Sequence, residues 1–471
     1  MFLLWVLGGG DILVVMKNKM KEFWGFFFGT YKSAKFVVLK YLVVAVLLTV
    51  SSVIANKMQL ADLTYFNAVA TITYFANLIG YGFSSGIALY VNQNIKHKDL
   101  VEYYVKIGMY INLVFSFVFV GVLAACYKVV LHSLLGLPKN IDYLFYFLML
   151  VYVFLYSNLT YFIDVLKQLK QFVLQFALSV LECLLMVGGF FLVYFGVGLS
   201  LIVIPWIYIV TALVALCVAV VLVCKNKTYP VALFSAIKIR FDRAETNNIF
   251  RMALQQVVWQ IGYTLLAYFV LKVNSKLFNQ YSYFENVLDI FNGFLFAFVN
   301  VCSIDICRNL GEGKFDKAYK IGKYSLVSSF VIWIGYAVLA FAFSVLIVGG
   351  MSVDIRSDAF VSMALYVFMS LFRFVSWNLF SYILCWGGHT KYIFWQEVVI
   401  TLYYVVFYSI SAFVPCNMYL VYFIIALPAM VQSVVGIVLF RKKKWMSNIS
   451  KDNEELLNGK VVDETTETVN E

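Results

Sequence analysis

Four charged residues lie deep inside long apolar stretches of the sequence, where an ionised side chain needs a reason to be present. They are Glu182, Glu285, Asp289 and Arg373. A charge at the depth of a bilayer costs at least about 2.5–3.5 kcal/mol on insertion scales, so such residues usually mark a pathway or a fixed partner. These four positions are therefore our first candidates for binding a substrate or an ion.

Glu285 and Asp289 are four residues apart, which places them on one face of a helix. Two carboxylates this close repel each other when both are ionised in a medium of low dielectric constant. Such a pair could hold a proton, bind a sodium ion with help from Asn286, or bind a cationic substrate. The structural alternative is that Glu285 lies at the outer interface and is simply in contact with water.

Glu182 has no charged neighbour in sequence and could be a proton or cation site, or it could pair with a polar residue on another helix. Arg373 lies beside Phe372 and Trp377 and is too far from both ends of its stretch to reach water easily. It therefore needs a counter-ion, for which Glu182, Asp289 or an anionic substrate are the candidates.

Asn158 is a further polar candidate, near the inner end of another apolar stretch. Asp164 and Glu397 are weaker candidates, for which we favour structural roles. The three histidines lie in or near loops, and the eight cysteines lack the close spacing of metal or disulfide frameworks. We therefore predict substrate- or ion-binding residues, with no catalytic group and no metal other than a possible sodium ion at Asp289 and Glu285.

The composition identifies the environment of these residues. The chain has 471 residues, of which 63% are hydrophobic and 13% are charged, and its mean hydropathy is +0.86. A soluble domain is only about 45–50% apolar and about 25% charged. The apolar runs are long and continuous, which favours helices over the alternating strands of a barrel. We predict an all-α polytopic membrane protein.

The hydropathy pattern predicts about twelve transmembrane helices. Their approximate ranges are 36–56, 64–91, 101–127, 141–163, 171–195, 199–224, 248–271, 281–306, 319–349, 359–384, 392–414 and 417–440. The predicted order is a cytoplasmic segment 1–35, a six-helix bundle 36–224, a basic cytoplasmic linker 225–247, a second six-helix bundle 248–440 and a disordered acidic tail 441–471. Met16, followed by Lys17 and Lys19, is a plausible natural start of the chain.

A repeated loop supports the division into two bundles. The segments 94–108 and 308–322 both contain several lysines and end on Lys-Ile-Gly, and 215 residues separate Asn94 from Asn309. A period near half the chain length indicates two parallel copies of one membrane unit. Parallel repeats related by an axis along the membrane normal are an architecture used by secondary transporters.

The lysines and arginines orient the chain. One set of loops carries most of them, including the run from Arg441 to Lys444, and basic loops lie in the cytoplasm. We therefore expect both termini in the cytoplasm and assign the net charge of +11 to these loops rather than to nucleic-acid binding.

Three short motifs resemble a known family. Arg308–Lys314 resembles the loop after the eighth span of multidrug and toxic compound extrusion (MATE) transporters, and Gln93-Asn94 is similar to the matching loop of the first half. Gly388–Lys391 looks like the turn after the tenth span. The chain departs from the family in lacking acidic residues in its first, seventh and tenth predicted spans.

The resemblance implies a two-lobed fold that exports organic, often cationic compounds in exchange for sodium ions or protons, without another cofactor. A flippase for lipid-linked oligosaccharides remains the alternative, because Arg373 suits a phosphate-bearing substrate. An enzyme is disfavoured, since the chain has no Walker A, H-E-x-x-H or G-x-S-x-G motif. We expect a monomer in the plasma membrane, in contact with lipids and with a small organic substrate or a lipid-linked glycan.

Overall fold

A computed structural model describes most of the chain, and its regular elements there are helices. The described ranges are 12–55, 69, 82–134, 143–196, 202–233, 235, 243–351, 356–411 and 416–449. At residues 12–17, 44–55, 134, 193–196, 244, 275 and 286–291 the description covers the backbone alone. The predicted all-α class is confirmed, as expected for apolar segments whose backbone groups must bond within each helix.

We number the α-helices in chain order: α1 Ile12–Ala55, α2 at residues 82–93, α3 Lys98–Ala125, α4 Tyr143–Gln168, α5 Phe172–Gly196, α6 Val203–Cys224, α7 Arg243–Val273, α8 Ser275–Gly311, α9 Phe315–Ala342, α10 Ser344–Gly349, α11 Ala359–Trp377, α12 Thr390–Ser411 and α13 Met418–Arg441. Two π-helical segments occur among the described residues, Val129–Leu134 and Asn378–Leu384, and the second continues α11.

Ten of the described helices are long and apolar enough to cross a membrane. They correspond in order to the predicted third to twelfth spans, which confirms a polytopic membrane protein. The first predicted span, 36–56, falls within α1 up to residue 55. Most of the second, 64–91, lies outside the described residues.

Several helix ends differ from the prediction. Among the described residues, helix α1 begins at Ile12, far before the predicted span, and no proline interrupts it up to Ala55. Helix α8 begins at Ser275, where the Asn274 side chain accepts hydrogen bonds from the N–H groups of Lys276 and Leu277. The predicted span 319–349 is divided at Phe343 into α9 and the short α10.

The chain forms two compact units, which we call the N-terminal and C-terminal units. The N-terminal unit comprises Lys35–Ala88 and Glu102–Tyr263, and the C-terminal unit comprises Met1–Ala34, Leu89–Val101 and Thr264–Glu471. Each has its own apolar core. One core includes Phe145, Tyr146 and Ile209 of the N-terminal unit, and the other includes residues of α7, α8, α11 and α13 in the C-terminal unit.

Two glycines let helices approach closely within the N-terminal unit. Gly82 and Gly86 of α2 are one helical turn apart and lie against the backbone of Ala253 and Ile249 of α7. A methyl group at either glycine would overlap α7. Such a Gly-x-x-x-Gly face is a recognised way of packing membrane helices at short range.

The first part of α1 packs within the C-terminal unit. Phe27 stacks on Phe298 of α8 with ring centroids 5.1 Å apart, and Phe23 packs against Tyr324 of α9. Glu22 accepts hydrogen bonds from Lys320 and Tyr324, which lower the pKa of its carboxyl group. Contacts with two helices therefore fix this part of α1 in the C-terminal unit.

The repeated loops have matching local geometry. The side-chain amides of Asn94 and Asn309 each donate to the carbonyl oxygen four residues earlier, at 2.9 and 2.7 Å. The turns after α4 and after the π-helical end of α11 also match. Lys170 (φ 58°) and Gly388 (φ 97°) both adopt left-handed backbone and close the same pair of backbone hydrogen bonds. The sequence repeat thus has a structural counterpart at both places.

Candidate functional site

The predicted site residues are divided between the two units. Glu182 and Asn158 belong to the N-terminal unit, whereas Glu285 and Arg373 belong to the C-terminal unit. Asp289 lies on α8 of the C-terminal unit, but its side chain is outside the described residues. Glu285 and Asp289 share one helix, as the spacing predicts. The sodium site predicted from their side chains remains a prediction.

In the C-terminal unit, Arg373 of α11 forms an ion pair with Glu285 of α8. The Nη2 and Nη1 atoms of Arg373 lie 3.3 and 3.4 Å from Oε1 of Glu285, and Nη1 also donates to the Tyr281 hydroxyl at 3.4 Å. The two charged side chains are 16% and 17% exposed. Charge-assisted N–H···O bonds are ordinarily about 2.7–2.9 Å long. The contact is therefore longer than an ordinary charge-assisted hydrogen bond, and we call it a loose pair.

Aromatic side chains surround this pair. The guanidinium of Arg373 lies over the ring of Trp377, with Cζ 4.8 Å from the ring centroid. The buried Tyr366 of α11 interacts electrostatically with both Arg373 and Glu285, and Tyr404 of α12 interacts with Arg373. Flat apolar faces beside a separable ion pair can bind an amphipathic molecule through both its charged and its apolar parts.

The partner of Arg373 differs from the sequence expectation. The expected counter-ions were Glu182, Asp289 or an anionic substrate. Glu285 was itself expected to bind a substrate or an ion or, in the structural alternative, to lie in water at the outer interface. Helix α8 begins at Ser275 and packs against α11, which brings Glu285 to Arg373. A counter-ion for Arg373 was expected and Glu285 supplies one; the side chain of Asp289, another expected partner, lies outside the described residues.

In the N-terminal unit, Glu182 lies on α5 and is 8% exposed. Its charge interacts with Lys40 of α1 and with the hydroxyls of Tyr152 and Tyr156 on α4. Lys40 was missed in the sequence, although a cation inside the predicted first span was a sufficient signal. A buried carboxylate with a nearby ammonium group and phenols can exchange a proton or a monovalent cation.

A second ion pair lies near the end of α4. The Lys167 ammonium is 2.7 Å from a carboxylate oxygen of Asp164, and both side chains are 7% exposed. Ser84 of α2 donates a hydrogen bond to the same carboxylate. Lys40 interacts electrostatically with Asp164 as well. These contacts agree with the structural role favoured for Asp164.

Asn158 connects α4 to α3. Its amide nitrogen donates to Ser116 at 3.3 Å, and its amide oxygen accepts from Asn112 at 3.2 Å. The other unit holds an equivalent arrangement 220 residues later. There, Asn378 donates to Ser329 at 2.6 Å and accepts from Ser325 at 3.1 Å. The repeat period could have identified Asn378, which sequence reasoning missed.

Metal binding finds no support among the residues that the structure describes. There, no three His, Cys, Asp or Glu side chains are grouped closely enough to hold a metal ion. Those residues instead include the loose interhelical ion pair of Glu285 and Arg373 in the C-terminal unit and the buried carboxylates Glu182 and Asp164 in the N-terminal unit. These groups can bind and release a proton, a monovalent cation or a charged ligand.

Comparison with known proteins agrees with this architecture. No protein-family model and no curated protein matches the sequence. An outward-facing multidrug resistance MATE family transporter of the MOP superfamily superposes with a TM-score of 0.77 at 11% identity. A mutant of the Vibrio cholerae MATE transporter VcmN superposes with a TM-score of 0.77 at 10% identity.

A MOP superfamily transporter from Pyrococcus furiosus is described as having a binding pocket of reverse polarity. It superposes with a TM-score of 0.77 at 11% sequence identity. Each of the three alignments covers 88% of this chain and 95% of the other. At such low identity the likeness concerns the fold, and it confirms at that level the resemblance found in the sequence. The chain has the fold of the MATE family transporters of the MOP superfamily.

Proposed function

We propose that the protein is a secondary active exporter, which moves amphipathic or cationic organic compounds across the membrane in exchange for sodium ions or protons. The observation that carries the proposal is the loose ion pair between Arg373 and Glu285, set among aromatic rings within a transporter fold. An intramembrane charge pair is costly to maintain, and one with a long contact distance is suited to opening and closing.

The two charged sites have different roles in this proposal. Glu182 is the coupling residue, because it is buried and its charge interacts with that of Lys40. Glu285 binds the charged part of the substrate when it parts from Arg373. Asp289, one turn further along α8, is proposed to assist Glu285. Binding shifts the balance between outward- and inward-open states only as far as the ligand prefers one of them.

Membrane topology completes the proposal. In this proposal both termini lie in the cytoplasm and the membrane is the plasma membrane; the basic loops and the run Arg441–Lys444 support this orientation. A monomer contains both charged sites. The partners are then membrane lipids and the transported compound, without a nucleic acid.

A flippase for a lipid-linked glycan is the second candidate, and Arg373 favours it. A guanidinium is well suited to a phosphate group, and Glu285 would then hold Arg373 in place until the substrate arrives. The Pyrococcus furiosus neighbour is described as having a pocket of reverse polarity that suggests a different function. A change in pocket charge therefore accompanies a suggested change of function in a protein of this fold.

Transport in proteoliposomes tests both candidates. Vesicles carrying the full-length protein receive a proton gradient or a sodium gradient, and uptake of a fluorescent lipophilic cation is followed. We expect Glu182→Gln and Glu285→Gln each to lower gradient-driven uptake about tenfold or more, within the usual range of coupling energies. Glu102→Gln is the matched control, because that partly exposed carboxylate pairs with Lys106 within α3. Uptake that is unchanged in both site variants would overturn the proposal.

The same vesicles can distinguish a flippase from an exporter. A fluorescent polyprenyl-phosphate sugar is placed in one leaflet, and its loss from that leaflet is measured by quenching. Movement of this lipid, abolished by Arg373→Ala, together with no uptake of the cation, would replace the exporter by the flippase. Asp289→Asn, assayed in parallel, shows whether the second carboxylate of α8 takes part.

A further inference from the structure

The residues that follow α13 form a short, well-anchored segment, Lys442–Ile449, which we call the strap. Its Trp445 is fully buried, stacks on Phe440 with ring centroids 5.6 Å apart, and donates from Nε1 to the Phe440 carbonyl oxygen at 3.0 Å. Gly387 lies against the Trp445 ring and backbone, and a methyl group there would overlap both. Trp445 thus occupies a fitted position against the turn that precedes α12.

Polar contacts hold the strap beyond Trp445. The backbone N–H and the hydroxyl of Ser447 donate to the carbonyl oxygen of Gly387, at 3.1 and 2.7 Å. The side-chain amide of Gln93 donates to the Ser447 carbonyl oxygen at 3.2 Å and accepts from the Ile449 N–H at 2.7 Å. Gln93 is 3% exposed. The buried side-chain amide of Gln93 therefore forms hydrogen bonds with two backbone groups of the strap.

Gln93 belongs to the segment Leu89–Val101, which is also held from its other side by the end of α8. The backbone of Gly311 lies so close to the Gln93 carbonyl that a Cβ could not be added. Arg308 donates from Nε to the Asn92 side chain at 3.1 Å, and Cys307 donates from Sγ to the Leu89 carbonyl oxygen at 3.3 Å. Segment Leu89–Val101 therefore lies between the end of α8 and the strap.

The chain on both sides of this segment, Lys35–Ala88 and Glu102–Tyr263, belongs to the N-terminal unit. Leu89–Val101 is thus a piece of the first half of the sequence that packs within the C-terminal unit. We propose that the strap is a lock: it holds Leu89–Val101 on the ends of α8 and of the α11 π-helical segment, and this end of the C-terminal unit opens only when the strap lifts.

Two native cysteines report on the lock. Cys385, 3% exposed, lies two residues before Gly387, and Cys307, fully buried, lies under Leu89. In the full-length wild type in detergent, N-ethylmaleimide should modify both far more slowly than the exposed Cys126. Peptide mass spectrometry over a time course gives the three rates. Cys385 or Cys307 reacting as fast as Cys126 in the wild type would overturn the proposal.

Trp445→Ala is the main test. Losing its stacking and its hydrogen bond should raise the modification rates of Cys385 and Cys307 together, by about tenfold or more. Trp395→Ala is the matched control, since Trp395 of α12 is 56% exposed and its loss should leave both rates unchanged. An increase at Cys385 alone would show that the strap covers only the turn, and would overturn its role as a lock. Unchanged rates would overturn the proposal altogether.

Gln93 provides a milder test, which keeps the proposal falsifiable if Trp445→Ala does not fold. Gln93→Ala removes both bonds to the strap, whereas Gln93→Glu retains the acceptor for the Ile449 N–H and loses the donor to Ser447. Both variants should raise the Cys385 rate above that of the wild type, because Gln93→Ala loses both bonds and Gln93→Glu puts an acceptor-only carboxylate against the Ser447 carbonyl oxygen. Equal rates in all three would contradict the lock.

That the strap lifts during transport rests on the proposed function, and a separate measurement tests it. Gln93→Ala should change the rate of gradient-driven uptake in proteoliposomes, because it changes the cost of opening this end. Faster cysteine modification with unchanged uptake would retain the strap as a structural lock and overturn its part in transport. Absence of uptake in the wild type would refute the proposed function and leave the cysteine result unaffected.

Discussion

The two units each contain a carboxylate paired with a cation, but the pairs are built differently. Asp164 and Lys167 are three residues apart on one helix, 2.7 Å from each other and 7% exposed. Glu285 and Arg373 are 88 residues apart on two helices, 3.3 Å from each other and about twice as exposed. The first pair is local and tight, and the second is long-range and loose.

This difference separates a structural pair from one that can switch. A pair within one helix keeps its geometry whenever the helix is formed, because neighbouring turns fix the distance. A pair between α8 and α11 depends on how those helices pack, and a small shift can open it. Exposure points the same way, because Coulomb attraction is weaker at a better-solvated site and less of it is lost when the pair separates. This difference supports the proposed binding of substrate at Arg373 and Glu285, and a stabilising role for Asp164 and Lys167.

The largest expected loss of stability follows from breaking the tight pair of Asp164 and Lys167. Lys167→Ala leaves the Asp164 carboxylate buried without its close cation, and breaking a buried pair in this way costs about 3–5 kcal/mol. The thermal unfolding midpoint in detergent should fall clearly. Lys314→Ala is the control, because Lys314 pairs with Glu312 at an exposed position, where such pairs contribute about 1 kcal/mol or less. Similar midpoints for the two variants would remove the distinction between the pairs.

The loose pair should affect transport more than stability. Arg373→Met and Glu285→Gln should each lower the free energy of unfolding by about 1.5–3 kcal/mol, as for a lost hydrogen bond to a charged group. The double variant should lower it by less than the sum of the two single losses. All three proteins should show gradient-driven uptake lowered about tenfold or more. Measurements are the unfolding midpoint and gradient-driven uptake in the same preparations. A double variant that transports normally would show that the pair is only structural.

The smallest effect is expected at the two asparagine contacts. Asn158→Ala and Asn378→Ala should each lower the free energy of unfolding by about 0.6–1.7 kcal/mol, which is typical of an interhelical hydrogen bond in a membrane protein. Because their partners are equivalent, the two losses should be similar. Uptake measured beside unfolding decides whether Asn158 also binds substrate. Loss of uptake in Asn158→Ala alone, at equal stability, would assign it to the binding site.

Much of the fold follows from the sequence for local reasons. The apolar runs fix ten described spans, and the period of about 215 residues anticipates the matching bonds of Asn94 and Asn309. Helix ends were predicted less well, as α1 and α8 show, because neighbouring structure and caps such as Asn274 decide them. The intramembrane charges were recognised as candidates, but Lys40 and Asn378 were overlooked.

The sequence by itself determined which residues carry charge into the membrane, since hydropathy and residue type depend on the chain alone. It also determined that Arg373 needs a counter-ion. Only the tertiary structure decided that Glu285 is that counter-ion and that Gln93 contacts the strap some 350 residues later. Such pairings depend on how helices pack, and packing between distant segments has no periodicity that a single sequence can display.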